Sequence, residues 1–184
     1  HLADLVATSF CYAEPNTILE VGSNDGSFIE YLSKYPEVQK VIGIEPNLHN
    51  VKISRSQSHI VYDGYFNEDL ATQILDEQGA FDIIFCRHVL EHVPDPVAFL
   101  EACIKVLNND GILVVELPNV DEGFKSSNPV IIWEEHVNYF TNSFLKHFFK
   151  ALGFSILATR DYVYGGGANA WVLKKTSNPN LALL

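Results

Sequence analysis

Methionine is missing from all 184 residues, and cysteine is scarce. The missing Met, a starting Met included, predicts a fragment or a processed chain. Cys11, Cys86 and Cys103 are odd in number, widely spaced and form no C-x-x-C. That usage predicts reduced thiols in a cytoplasmic protein and argues against a zinc site, so no metal is expected. Basic residues are few as well. Lys and Arg number 12 against 23 Asp and Glu, for a formal net charge of -11. Neutralising a phosphate backbone requires clustered Lys and Arg, and no such cluster occurs, so nucleic acid is not an expected partner. No apolar run reaches membrane-spanning length and no signal-peptide pattern is present, so no membrane partner is expected. Internal repeats and low-complexity tracts are absent.

What is present reads as a globular chain, 47% apolar and 19% charged. The length suits one domain over 1–184 with a full core. An acidic surface is compatible with a cationic ligand.

Strand and helix signals alternate from Ile18 to about Val115, which predicts α/β wiring with a parallel sheet. Residues 1–12 read as a short packing helix. Strands are expected at 17–22, 40–45, around 60–62, at 81–86 and at 112–117. The helix from Ser27 is closed by Pro36, and a polar helix follows Pro46. Asn67 caps a third helix, with Glu68 and Asp69 in its first turn. Asp95 caps a fourth, and Pro96 takes its first position, where a missing amide costs nothing. Val97, Leu100, Ile104 and Leu107 are expected on its buried face. Asn109-Asp110-Gly111 reads as a turn. Residues 118–140 lack periodicity and hold many polar and aromatic side chains, as functional loops often do. They are expected to be a substrate-side insertion. Thr141 caps a helix whose core face is read as Phe144, Leu145, Phe148 and Leu152, and Gly153 ends it. Ser155–Tyr164 and Ala168–Lys175 form two last strands joined at Gly165-Gly166-Gly167, an antiparallel ending.

The most telling stretch is Ile18-Leu19-Glu20-Val21-Gly22-Ser23-Asn24-Asp25-Gly26-Ser27-Phe28. A short apolar strand runs into a glycine-bounded turn and then a helix. Gly22 and Gly26 allow a sharp turn and close approach to a ligand, and the first helical amides are expected to point at it. A dinucleotide fingerprint needs G-x-G-x-x-G, but Asn24 and Ser27 stand at the other two glycine positions. A nicotinamide-dependent oxidoreductase is thereby disfavoured.

The same string resembles the first motif of class I S-adenosylmethionine-dependent methyltransferases: an acidic residue, x, Gly, x, x, x, Gly. Its Gly-Ser-Asn-Asp-Gly form is similar to that of sugar C-methyltransferases acting on nucleotide-linked ketosugars. The element order resembles that family over nearly the whole chain. The resemblance implies a Rossmann-like α/β fold: a seven-stranded, mostly parallel sheet with an antiparallel last strand, and helices on both faces. It also implies S-adenosyl-L-methionine as cofactor. Gly22, Ser23, Asn24, Asp25 and Gly26 would pass beneath its methionine part. Glu20 would order that loop or contact the amino group. Glu45, in a Gly-Ile-Glu-Pro context that includes Pro46, would accept hydrogen bonds from the ribose hydroxyls. Tyr65 or Phe66 would pack on adenine, with plain core packing the alternative for each. The segment Val89-Leu90-Glu91-His92-Val93-Pro94-Asp95-Pro96 resembles the family's fourth-strand segment, which implies that His88 lies near the methionine portion. His92 reads as a structural histidine bracing the turn.

The segment Trp133-Glu134-Glu135-His136-Val137-Asn138-Tyr139-Phe140 resembles the sugar enzymes' signature at Glu135, His136, Tyr139 and Phe140, and departs from it at Trp133 and Glu134. Glu135 and His136 are the candidate catalytic pair, and Trp133 and Tyr139 the candidate substrate contacts. A histidine has the right intrinsic pKa for a base near neutral pH. The alternative is that His136 only fixes the loop. The sugar enzymes carry a cysteine-rich zinc module before this domain and another α/β domain after it. This sequence matches neither, so the resemblance covers the catalytic domain alone. The expected activity is C- or O-methylation of a small polar metabolite, a sugar derivative among the candidates. The other class left open is a non-catalytic cofactor-binding scaffold or sensor, since fold analogy alone does not settle function.

Overall fold

A computed structural model describes residues 1–127, 129, 132–163 and 167–176. The chain runs α1 (Leu2–Phe10), β1 (Thr17–Val21), α2 (Ser27–Leu32), β2 (Lys40–Glu45), α3 (Leu48–Ser56), β3 (Ile60–Asp63), α4 (Glu68–Gln78) and β4 (Phe81–Arg87). A 3-10 turn at Leu90–His92 leads to α5 (Pro96–Val106), β5 (Leu107–Pro118), α6 (Val120–Lys125), α7 (Asn142–Ala151), β6 (Phe154–Tyr162) and β7 (Ala168–Lys175). The strands form one seven-stranded sheet in the order β3-β2-β1-β4-β5-β7-β6. Pairings from β3 to β5 are parallel, and β7 runs antiparallel to both of its neighbours. The α/β reading and the reversed last strand are both observed.

Alternation along the central strands splits the core in two, because successive strand side chains point to opposite faces. Leu19, Val21, Ile84, Cys86, Leu113 and Val115 pack with Ile74 of α4, Leu100 of α5 and Leu145 of α7. Ile18, Ile83, Phe85, Ile112 and Val114 pack with Leu5 of α1 and with Phe28 and Leu32 of α2. Strands buried on both faces explain the near-continuous apolar runs in β4 and β5.

The helix starts follow their caps. Asn67, Asp95 and Thr141 accept from the amides of Leu70, Ala98 and Phe144. Four details differ from the sequence reading. Residues 109–111 belong to β5, because Leu107 already pairs with Phe81 and the irregularity is absorbed between Phe81 and Ile83. The buried face of α5 is Phe99, Leu100, Ala102, Cys103 and Val106, with Val97 and Ile104 only partly buried and Leu107 in the strand. Phe144 is exposed and stacks on Phe140 and Phe148 instead of entering the core. Within 118–140, α6 forms because Asn119 caps it through the amide of Glu122, with Asp121 and Glu122 in its first turn. Tyr164, Gly165 and Gly166 of the expected hairpin lie outside the described residues. No helix among the described residues is long and apolar enough to cross a membrane.

Candidate functional site: the switch point and the adjoining cleft

The strand order reverses between β1 and β4, since β2 and β3 lie on one side of β1 and β4 and β5 on the other. Ligands of open α/β sheets bind outside the carboxyl ends of the strands at such a point. The loop after β1 carries the conformations its glycines promise. Gly22 and Gly26 have φ of 77° and 86°, in the left-handed region. A Cβ on Gly22 would fall 2.5 Å from Val89 Cγ2, and one on Gly26 would fall 2.3 Å from Ser54 Oγ. Neither position tolerates a side chain.

The loop is tied down from within. The Gly22 and Ser23 amides donate to the Ile44 carbonyl, the Gly26 amide to the Ser23 carbonyl, and the Ser27 amide to Asp25 Oδ1. Of the first helical amides, that of Ser27 is therefore already taken by Asp25. Asp25 is half-buried, and its bond from Ser27 holds its carboxyl below the usual range. Glu45, buried at the end of β2, binds two backbones at once. Its Oε2 accepts from the Asn24 amide and its Oε1 from the Asn47 amide, each at 2.8 Å. Glu45 is thus a staple between the glycine loop and the entry to α3, with carboxylate lone pairs left for a further donor.

Two buried polar atoms beside this loop have no hydrogen-bond partner, Glu20 Oε2 and Ser23 Oγ. Unpaired buried polar atoms are costly, and in a native fold they mark a place for a ligand or water. Burial raises the Glu20 carboxyl to about 8, with Arg87 opposing the shift and Glu45 and Asp25 adding to it. Pro46 is exposed beside Glu45. Tyr65 is 80% exposed, whereas Phe66 is buried against Phe99 in the core. Of the two aromatic candidates, only Tyr65 faces outward.

Glu20, Arg87 and Glu116 share one face of the sheet, at the carboxyl ends of β1, β4 and β5. Arg87 donates through Nε to Glu116 Oε2 at 2.8 Å and lies 4.7 Å over the Phe28 ring. His88 sits beside them with φ 53°. Its Nδ1 is 3.4 Å from Glu91 Oε1 and its Nε2 is 3.8 Å from Glu116 Oε1. His88 therefore links the switch point to a second feature, a shallow, closely packed cleft over the end of β5 that encloses no free volume. Glu91, Leu117, Pro118, Val120, His136, Asn138, Tyr139 and Phe140 line it.

The loop carrying His136 is anchored mainly by its backbone. The amides of Val137 and Asn138 both donate to the Glu91 carbonyl, and Asn138 Nδ2 donates to the Val93 carbonyl. The Tyr139 hydroxyl accepts from the Trp133 amide and donates to the Trp133 carbonyl. The His136 ring lies between His92 and Tyr139, with ring centroids at 4.8 and 6.0 Å. Glu135 goes the other way. It is exposed, and its Oε2 accepts from the Trp133 indole at 3.4 Å. Of the expected pair, the structure brings only His136 into the cleft. Trp133 is 53% exposed at the rim.

Arg87 and Glu116 were absent from the expected site. A charged residue inside an apolar strand run, as in Phe85-Cys86-Arg87 and Val115-Glu116-Leu117, was the available signal. One ligand atom each from Glu91, His92 and His136 lie within 4.8 Å of one another. No sequence spacing advertised that set, because His136 comes from a distant loop.

The Glu20 carboxyl supports a pH prediction for the ligand-free protein. A carboxyl whose folded pKa exceeds its unfolded value holds its proton more tightly in the native state. The stability it permits is full below about 4.5 and is lost as pH rises through about 8. Each tenfold change in proton affinity is worth about 1.4 kcal/mol, so a shift of this size caps the loss at about 5 kcal/mol. Glu20→Gln removes this ionisation. Thermal melts of both proteins should nearly coincide at pH 5, and the variant should melt higher at pH 9. A gap that does not change with pH would show that Glu20 ionises without cost.

Comparison with known proteins agrees with this architecture. A family model described as a methyltransferase domain matches residues 2–159. The C-methyltransferase NovU of Streptomyces niveus is 23% identical over 167 residues, covering 91% of this chain and 39% of that protein. A ubiquinone biosynthesis O-methyltransferase of Xanthomonas campestris is 33% identical over 107 residues, covering 55% of this chain and 43% of its own length. The chain thus spans less than half the length of these two relatives. A crystal structure of a SAM-dependent methyltransferase from Archaeoglobus fulgidus superposes with a TM-score of 0.75 at 18% identity, covering 94% of this chain and 92% of that one. With the glycine loop, Glu45 and the sheet order in the arrangement described above, the chain belongs to the methyltransferase-domain family, within the class I S-adenosylmethionine-dependent methyltransferases.

Proposed function

We propose that this chain methylates a carbon or oxygen atom of a small polar metabolite, with a sugar derivative the favoured class. The observation that carries this reading is the continuity from the glycine loop, through His88, to a cleft with the His136 imidazole on its wall. The similarity to NovU favours a carbon acceptor, and the similarity to the ubiquinone enzymes favours an oxygen one. The signature shared with sugar enzymes lies in the loop that builds the cleft.

The residues fit the cofactor. Gly22 and Gly26 leave room for it, Glu45 has lone pairs for the ribose hydroxyls, and the unpaired Glu20 Oε2 and Ser23 Oγ can bind its polar end. Tyr65 is the aromatic available to adenine. When bound, S-adenosylmethionine supplies an electrophilic methyl group for in-line transfer, a step governed by positioning. The protein's own contribution is to hold the acceptor in the cleft and to take its proton. His136 is the base in this reading, accepting a proton from a hydroxyl or from the carbon beside a carbonyl. Trp133 and Tyr139 border the acceptor from the loop, and Glu135 at the rim meets its hydroxyls. A cytoplasmic setting belongs to the same reading, supported by three free cysteines.

Calorimetry tests it. S-adenosylhomocysteine should bind, and nicotinamide dinucleotides should bind far more weakly. Glu45→Ala should weaken S-adenosylhomocysteine by on the order of 1.5–3 kcal/mol, the worth of a hydrogen-bonding site on a charged group. Because Glu45 also ties down Asn24 and Asn47, a modest loss of stability should accompany it. Unchanged affinity in folded Glu45→Ala would remove the ribose role, and tighter binding of a nicotinamide dinucleotide would overturn the assignment.

A further inference from the structure

We propose that Glu91, His92 and His136 form a binding site for a zinc-like divalent cation, and that occupancy of this site blocks the base in the cleft. The second statement rests on His136 acting as base; the first stands without it.

Glu91 is the starting point. Its side chain is buried, at 2% exposure, and neither carboxylate oxygen has a hydrogen-bond partner. His88 Nδ1 lies 3.4 Å from Oε1, outside hydrogen-bonding geometry. A buried carboxylate without donors calls for a cation or a proton. The backbone gives Glu91 no freedom to leave, because its carbonyl receives the Val137 and Asn138 amides.

His92 supplies the second donor. Its Nδ1 is 2.9 Å from the Glu135 carbonyl oxygen, which can only accept. Nδ1 therefore carries the proton, and the lone pair lies on Nε2. An imidazole whose other nitrogen donates to a backbone carbonyl is the usual arrangement for a metal-binding histidine. His136 supplies the third donor, its ring 4.8 Å from that of His92.

The ligand atoms of the three residues lie within 4.8 Å of one another. Zinc bonds of about 2.0–2.1 Å in tetrahedral geometry put ligand atoms roughly 3.4 Å apart. In the proposed site the two half-buried imidazoles shift towards the fixed carboxylate to close that gap. Two imidazoles and one carboxylate suit zinc better than magnesium or calcium, which prefer all-oxygen shells. Three protein ligands also leave a fourth position open to the cleft. A lone pair given to a metal cannot accept a proton, so zinc occupancy and base action by His136 exclude each other.

The test uses the full chain stripped with a chelator and titrated with zinc chloride by calorimetry. One zinc per chain is expected. Glu91→Gln keeps the shape of the side chain but loses its charge, and His92→Asn removes one imidazole; each should weaken zinc by at least ~10-fold. Visible absorption of the cobalt(II)-loaded protein, diminished in both variants, provides a second reading of the same ligands. Absence of saturable zinc binding overturns the site, as does zinc affinity unchanged in folded Glu91→Gln and His92→Asn. Turnover should fall in step with zinc occupancy and return with chelator. Turnover unchanged at full occupancy overturns the block. Failure of S-adenosylhomocysteine to bind would instead remove the methyltransferase reading and leave the zinc result intact.

Discussion

His136→Ala should cut methyl transfer by ~10²–10⁴-fold, the usual range for loss of a general base, with S-adenosylmethionine affinity nearly unchanged. The structure sharpens this expectation. The loop is held by the Val137 and Asn138 amides on the Glu91 carbonyl and by the Tyr139 clip on Trp133, and the His136 imidazole takes part in none of these bonds. Truncating it leaves these bonds in place and removes the ring packed between His92 and Tyr139. Glu135→Gln should do far less, because that carboxylate points to the Trp133 indole outside the cleft. Acceptors would first be screened among ketosugars and hydroxylated metabolites by release of S-adenosylhomocysteine, in chelator-treated buffer. Near-normal single-turnover rates in His136→Ala would rule out the base. A large drop in melting temperature with a modest change in the chemical step would identify His136 as a brace.

Much of the fold was legible because it depends on local rules. Asn67, Asp95 and Thr141 cap the helices they were expected to cap. The glycine loop announces its left-handed turns, and the apolar runs at 81–86 and 112–117 announce doubly buried strands. The errors arise where tertiary contacts override periodicity. Phe144 fits a helical core stripe, but Phe140 and Phe148 take its ring on the surface side. Asn109-Asp110-Gly111 has turn composition, but pairing with β4 draws it into the strand. The site follows the same division. Gly22, Gly26 and Glu45 are fixed by their own strand ends and could be read directly. The Glu91–His92–His136 grouping depends on the docking of two segments far apart in sequence. The opposite directions taken by Glu135 and His136 depend on a loop conformation that residue identity does not set.

Arg87 shows what those unread contacts are worth, and Arg87→Leu should destabilise the fold by about 3–5 kcal/mol, the usual cost of stranding a buried charge. Glu116 is fully buried, and Arg87 Nε donates to it at 2.8 Å. His1 Nε2, 3.0 Å from Glu116 Oε1, and His88 Nε2, at 3.8 Å, also face it, and both are charged only when protonated. Arg87 is therefore the permanent counter-charge for Glu116, and it also opposes the burial of Glu20. Its guanidinium lies over Phe28, so packing is lost with the charge. Against a total of roughly 5–15 kcal/mol, such a loss brings the domain close to unfolding. Urea midpoints at pH 7 would measure it. Arg87→Lys should recover only part of the loss, since an ammonium neither forks onto the carboxylate nor stacks on the ring in the same way. Arg87→Leu combined with Glu116→Leu should be more stable than Arg87→Leu alone, because no charge is then left without a partner. A midpoint for Arg87→Leu equal to that of the unmodified chain would mean that Glu116 is neutral in the native state, and the double variant would then gain nothing over the single one.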